Sequence, residues 1–328
     1  PATGRGSASF STLFAGIAAT PATALSAQSN LFLGSFPNPR TARWSFGFQR
    51  ELPMGMIWDT SYVGSASRHL YRNLDLNPIV NAATGLRFQP QVGIRTVRSA
   101  SANSNYESLQ SSLRRGFKST PIGELQFQGS YTYSHFLDDI SDVFAFDSTP
   151  ASFESAPQVL GFSPHIDYAN SDYDRRHVAS IGFLWSPPQP KNGILGVVLG
   201  GWTFSGISHW QDGIPFTVAN GSDRGGWGQG AAARPDISNP NAPLNTRAII
   251  SATCSTGFAN PDQGNACVDP STVHWIEGAG APNARTVRRN TQRTPFDDNL
   301  DFSVSKRFRF TERSGYEFRA DMFNALNT

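Results

Sequence analysis

Lysine, cysteine and long apolar runs are all scarce in this 328-residue chain. There are three lysines (Lys118, Lys191, Lys306) among 27 basic residues, and the formal net charge is only +2. So even a balance gives no support for nucleic acid as a partner. No run of about eighteen apolar residues occurs, which excludes a membrane-spanning helix. The longest candidate, GILGVVLGGW at 193–202, is too short and too rich in glycine. The chain is 38% hydrophobic with 30 Gly and 22 Pro, which is poor for the core of a large soluble enzyme. A sheet with one wet face needs only every second strand residue to be apolar, so this composition is compatible with a membrane wall. Catalytic signatures are missing as well: neither a GxSxG elbow nor an HExxH helix is present. The six histidines (69, 135, 165, 177, 209, 274) have no ligand spacing. The expectation is therefore not an enzyme, with no metal and no cofactor. The chain starts at Pro1 without a signal segment and stops within what reads as a strand, so it is expected to be a piece of a longer protein.

What is present is alternation, clearest over residues 105–134, NYESLQSSLRRGFKSTPIGELQFQGSYTYS. In its second half Leu125, Phe127, Gly129, Tyr131 and Tyr133 share one side of an extended chain, while Gln126, Gln128, Ser130, Thr132 and Ser134 share the other. Roughly ten alternating residues with tyrosines near one end of the apolar face suit a barrel strand that crosses a bilayer. Residues 1–42 read as loop, rich in Ala, Ser, Thr, Pro and Gly. From residue 43, Trp44, Phe46 and Phe48 alternate with polar partners, and after a tight turn at 51–55 the facing strand carries Met56, Trp58, Thr60 and Tyr62. Further strands are expected at 177–185 and 201–211, where Trp202, Phe204 and Trp210 share a face, and at 300–308 and 316–322. In the strand at 177–185 the faces conflict, with Val178 and Leu184 against Ile181, Phe183 and Trp185.

The connections alternate between short and long, the long ones covering about 64–104, 135–176 and 212–298. Ordinary domains connect their elements with about four to six residues. Strict parity sends every long loop to the same side, the layout of an outer-membrane barrel with short periplasmic turns and long extracellular loops. A soluble sandwich or propeller has no reason to confine long loops to alternate connections. The fold class expected is all-β: a partial antiparallel transmembrane β-barrel over 43–328, in the bacterial outer membrane, with its lipid as the surrounding partner.

The ordered series FGFQRELPMGMIWDTSYVGSASRHLYR, NSNYESLQSSLRRGF, QFQGSYTYSHFLDD, DYDRRHVASIGFLW, GGWTFSGISHWQDGIPFTV and NLDFSVSKRFRFTERSGYEFRADMFNALN resembles the C-terminal half of the barrel of TonB-dependent outer-membrane receptors of the Oar-like type. The resemblance runs over about 41–328, and the long loops match poorly. It implies a 22-stranded barrel closed by an N-terminal plug, of which this chain would supply about eight strands. It also implies an inner-membrane TonB complex as partner and an extracellular ligand whose identity the sequence does not name. An outer-membrane adhesive or structural protein without uptake and a secreted soluble carbohydrate-binding module are the alternatives.

Several residues carry specific expectations. Trp44, Trp58, Tyr62, Tyr131, Tyr133, Trp202 and Trp210 suit an interfacial aromatic girdle, rings in lipid and polar edges at the headgroups, against the plainer reading of a soluble sheet core. Asp138, Asp139, Asp142, Asp147, Asp167, Asp172 and Asp174 could offer oxygen ligands to a hard cation, but they lack calcium-loop spacing, and a solvated loop is the favoured reading. Asp172, Asp174, Arg175, Arg176 and His177 read as ion pairs at a strand entrance on the wet face, and His209 as a lumen-lining residue. Cys254 and Cys267 lie in the longest loop with twelve residues between them, and export to an oxidising compartment predicts a disulfide between them.

Overall fold

A computed structural model describes residues 31–32, 35–75, 77, 79–81, 84–90, 96–141, 167–190, 193–221, 233–277, 286–309 and 314–326. Eight long strands dominate it: β1 Arg40–Leu52, β2 Met56–Asp75, β3 Thr96–Thr120, β4 Gly123–Asp138, β5 His177–Ser186, β6 Trp202–Gln211, β7 Asp297–Arg309 and β8 Gly315–Met322. Each pairs antiparallel with its neighbour in the chain, so the sheet is an eight-strand meander whose spatial order is the sequence order. Among the described residues, β1 and β8 each have one long-strand neighbour, and the sheet is not closed.

Register follows the side-chain pattern, because slipping one strand by a residue would exchange its two faces. Directly opposed residues share a face, and the rows can be followed across the sheet. One runs Trp58, Leu113, Gly129, Ile181, Ser208, Leu300; the next runs Met56, Arg115, Phe127, Phe183, Gly206, Phe302, Met322. The opposite face collects Ser61, Gln110, Thr132 and Ser112, Ser130, Ser180, His209. This resolves the conflict in β5: Ile181, Phe183 and Trp185 stand with the apolar set, and Leu184 with the polar one.

Among the described residues no layer covers the apolar face. Phe46 is 77% exposed, and Phe48, Leu109, Ile181, Phe318 and Met322 are exposed beside it. Buried apolar residues among those described are few and mostly small: Ile79, Ala102, Ala233, Ala248, Cys254, Ala259, Val273 and Val287. A sheet that exposes its large side chains along one face is built to meet a non-aqueous surround on that side.

Connections 53–55, 121–122, 187–201 and 310–314 lie at one rim, and 76–95, 139–176 and 212–296 at the other. Positive φ at the short turns falls on Gly55, Gly123, Gly193 and Gly201, and on Met54. Gly123 has φ +109, and a Cβ there would meet the Ser186 carbonyl oxygen, so only glycine lets β4 start against β5. The first strand begins at Arg40 rather than 43, and Leu31–Phe32 pairs parallel with Val97 and Arg98, ahead of the expected barrel boundary. The loop expected over 64–104 is strand at both ends, since β2 runs to Asp75 and β3 starts at Thr96. These extensions, SASRH and SASAN among them, are rich in small polar residues, and no apolar alternation marks them.

Candidate functional site

Two features stand out: an aromatic belt on the apolar face and an ordered loop layer over the long-loop rim. All seven predicted aromatics lie on the apolar face, by register with Phe46, Leu109, Ile181 and Phe204. Trp202 and Trp210 bracket one strand, eight residues apart. At about 3.3 Å per residue that is roughly 26 Å along β6, or about 20 Å across a bilayer for a strand tilted by about 40°. The apolar band of an outer-membrane barrel is of this height. Indole N–H groups in such a setting need partners inside the protein. Trp58 donates to Ser111 Oγ at 2.9 Å and Trp202 to the Val198 carbonyl at 3.0 Å. Trp185 belongs to the same belt, donating to the Ile122 carbonyl at 2.8 Å and stacking on Phe204 at 5.5 Å. Sequence reasoning left Trp185 out because the faces of β5 were ambiguous. His177 is also on this face, not the wet one: its Nδ1 is 2.7 Å from the Tyr131 hydroxyl and its ring contacts Tyr133. His209 lies on the polar face opposite Ser180 and Asn299.

The loop layer is held by buried ions. Asp138, Asp139, Asp167 and Asp174 are all buried, which corrects the reading of a solvated acidic loop. Arginines from the 212–296 connection pair with Asp138, Asp167 and Asp174, while Asp139 accepts from the Asn103 backbone N–H at 2.7 Å. Arg289, 4% exposed at its side chain, pairs with the Asp138 carboxylate and donates to the Asp138 carbonyl at 2.8 Å, the Asp167 carbonyl at 3.1 Å and Ser141 Oγ at 3.0 Å. Arg293 pairs with Asp174 and donates to the Gly213 carbonyl at 3.1 Å. Arg234 pairs with Asp167. Asp174 also accepts from the Phe136 backbone N–H at 2.7 Å and from Arg176 Nε at 3.2 Å, so the expected pair at the strand entrance is part of the network. Asn290 joins the two loops a second time, exchanging hydrogen bonds with Asn170 at 2.8 and 3.0 Å and with Thr217 at 3.0 and 3.1 Å. Burial pushes the Asp167 carboxyl above the usual range, while Arg234 and then Arg289 pull it back. Among the described residues no three His, Cys, Asp or Glu side chains group as a metal site. Asp142 and Asp147 lie outside the described residues.

The arginines were missed in the sequence because a loop arginine has no period to betray it. The run RTVRRNTQR at 285–293, facing the aspartate-rich loop, was the available signal.

Above this network the 212–296 connection, expected to be irregular, carries a small sheet in the order Asp236–Ile237, Trp275–Ile276, Arg247–Ile250, Phe258–Asn260, Ala266–Cys267. Its strands are two to four residues long, too short to show alternation. Ala248, Ala259 and Val273 form its small core. Cys254 and Cys267 are bonded, with Cα atoms 5.3 Å apart. On the chain-entropy account a loop of this size is stabilised by roughly 3 kcal/mol. The disulfide touches only the small sheet. Cys254→Ser should therefore leave barrel assembly unchanged while exposing about 251–271 to external protease. Mass spectrometry of a non-reduced digest checks the bond itself; separately alkylated peptides from native membranes would refute it.

The family profile described as Outer membrane beta barrel domain matches residues 2–328. The chain belongs to that family. As a member of it the protein resides in the bacterial outer membrane, and the exposed apolar face is its lipid side. Among solved structures it is similar to the outer membrane transporter YddB from Escherichia coli, with a TM-score of 0.43 and 9% identity over 89% of this chain and 29% of that one. The chain thus spans under a third of the length of that transporter. No curated protein matches it.

Proposed function

We propose that this barrel wall belongs to a TonB-dependent transporter of the Oar-like type, in which the loop layer captures an extracellular ligand and the wider barrel admits it when a plug moves. The observation that carries the reading is the loop layer itself. Loops that served only to connect strands would not need buried Arg–Asp pairs and a private sheet to hold their shape. The sides of β1 and β8 that have no long-strand neighbour among the described residues support it, since backbone groups at an open edge need further strands in lipid. So does a concavity of about 470 Å³ at the inner wall, where Gln126, Gln128, Ser205 and Ser303 stand beside Leu184 and Ile207. The seven aromatics then act as interfacial anchors at the two headgroup levels. We assign the chain no catalytic step.

Deleting the gene and supplying single limiting nutrients (iron chelates, oligosaccharides, peptides) tests the reading. Growth should fail on one class, and collapsing the inner-membrane proton gradient should abolish uptake of that nutrient by the wild type. Undiminished growth on every class, together with reduced surface attachment, would favour an adhesin instead.

A further inference from the structure

The connection between β5 and β6 contains a seven-residue helix, α1 Gly193–Leu199, with sequence GILGVVL and no charged residue. Its apolar side chains touch almost nothing: Ile194 is 83% exposed, and Leu195, Val197, Val198 and Leu199 are all exposed. A helix apolar all round is normally buried. This one is also fastened by its C-terminus to the lipid side of the sheet. The Lys306 ammonium donates to the carbonyls of Val198 at 2.6 Å and Gly200 at 3.2 Å, and the Trp202 indole donates to Val198 as well. Lys306 is 7% exposed and lies 4.5 Å from the Trp202 ring and 5.0 Å from the Phe308 ring. Both Trp202 and Lys306 stand on the apolar face, in register with each other and with Phe318.

Charge on the short-turn rim points the same way. Arg50, Arg115, Lys118 and Lys306 fall on the apolar face there, while the acidic neighbours Glu51, Glu124 and Glu317 fall on the polar face. Arg115 is 5% exposed, and its Nη1 has no hydrogen-bond partner among the described residues. Arg50 and Lys118 are the exposed cations of that face at this rim, and cations below an apolar band match the headgroups of a phospholipid leaflet.

We propose that α1 is a monotopic anchor embedded in the periplasmic leaflet of the outer membrane, its apolar surface among acyl chains just beneath the headgroups. Lys306 and Trp202 cap its last carbonyls, which would otherwise face hydrocarbon unpaired. The helix widens the footprint of the wall at the rim where its connections are shortest. The inference rests on the apolar face being the lipid side, and its test separates the two.

The intact protein, refolded into phosphatidylethanolamine and phosphatidylglycerol vesicles, is labelled with an environment-sensitive fluorophore at Leu195→Cys, Phe46→Cys or Ile207→Cys. The chain's two native cysteines are bonded and leave the label selective. Labels at 195 and 46 should emit to the blue of the label at 207. Phospholipid brominated near the carbonyl should quench the 195 label severalfold more than phospholipid brominated at the chain end. A water-like spectrum at 195, or a blue-shifted one that brominated lipid does not quench, as a covering protein would give, overturns the anchor provided position 46 is quenched. If position 46 is not quenched either, the lipid side itself has been misassigned. Should Leu195→Cys fail to give the heat-modifiable folded form, the label at Leu199→Cys replaces it with the same expected outcome.

Discussion

Ile181→Arg should sharply reduce the folded, heat-modifiable form of the protein, whereas Ser180→Arg, one residue away, should leave it nearly unchanged. Ile181 stands midway along β5 on the lipid side, flanked in register by Gly129 and Ser208, neither of which can reach over to shield a charge. A guanidinium near the bilayer midplane costs about 2–4 kcal/mol even after it snorkels. Ser180 faces the polar wall between Ser130 and His209, where an added arginine remains hydrated. The difference should appear as a loss of one to three orders of magnitude in the folded-to-unfolded ratio for Ile181→Arg alone, at about 1.4 kcal/mol per decade. Equal yields from the two variants would mean that the face carrying Phe46, Ile181 and Phe302 does not meet lipid. Ile181→Val provides the control for packing, since it removes one methylene and no more.

The contrast between adjacent residues also shows why so much of the wall was readable from the sequence. Where a strand has lipid on one side and water on the other, every side chain must choose, and Leu125 through Tyr133 record the choice in period two. The parity of the loops was readable for a related reason, since a meander cannot place an odd connection at the even rim. Legibility ended where that two-solvent constraint ended. In the extensions Ser65 to Asp75 and Thr96 to Asn103 no apolar alternation marks the strand, and nothing in the order of their residues distinguishes them from loop. In β5 the small residues Ala179 and Gly182 and the off-pattern Leu184 blurred the faces until the neighbouring strands fixed them through register. The short strands of the 212–296 layer are stabilised by contacts distant in sequence and by one disulfide, not by any local pattern. The helix α1 was visible only as an apolar run too short to span. Its meaning comes from Lys306, more than a hundred residues away, which closes its C-terminus.

Removing Arg289 should release the loop layer while the barrel still assembles. The guanidinium reaches Asp138 at the end of β4, the Asp167 carbonyl and Ser141, and so ties the 212–296 connection to the 139–176 connection at a point shielded from water. A buried ion pair need not add net stability, because desolvation consumes most of its attraction. Breaking it by removing one partner is another matter. Arg289→Met would leave the Asp138 carboxylate buried and uncompensated, at a cost of about 3–5 kcal/mol. At about 1.4 kcal/mol per decade, the undocked population of the layer should rise by two to three orders of magnitude or more. Hydrogen exchange should then lose protection over 286–293 and 167–174, and external protease should cut the 212–296 connection, while the heat-modifiable band persists. The decisive variant is the double one. Asp138→Asn removes the stranded charge, so adding it to Arg289→Met should recover much of the lost protection even though no ion pair is restored. If the double variant is as open as Arg289→Met alone, the arginine acts through its hydrogen bonds to Asp167 and Ser141, and charge compensation at Asp138 is not what holds the layer down. If Arg289→Met itself keeps full protection, the buried network does not organise the loops, and the argument that links their order to ligand capture falls with it.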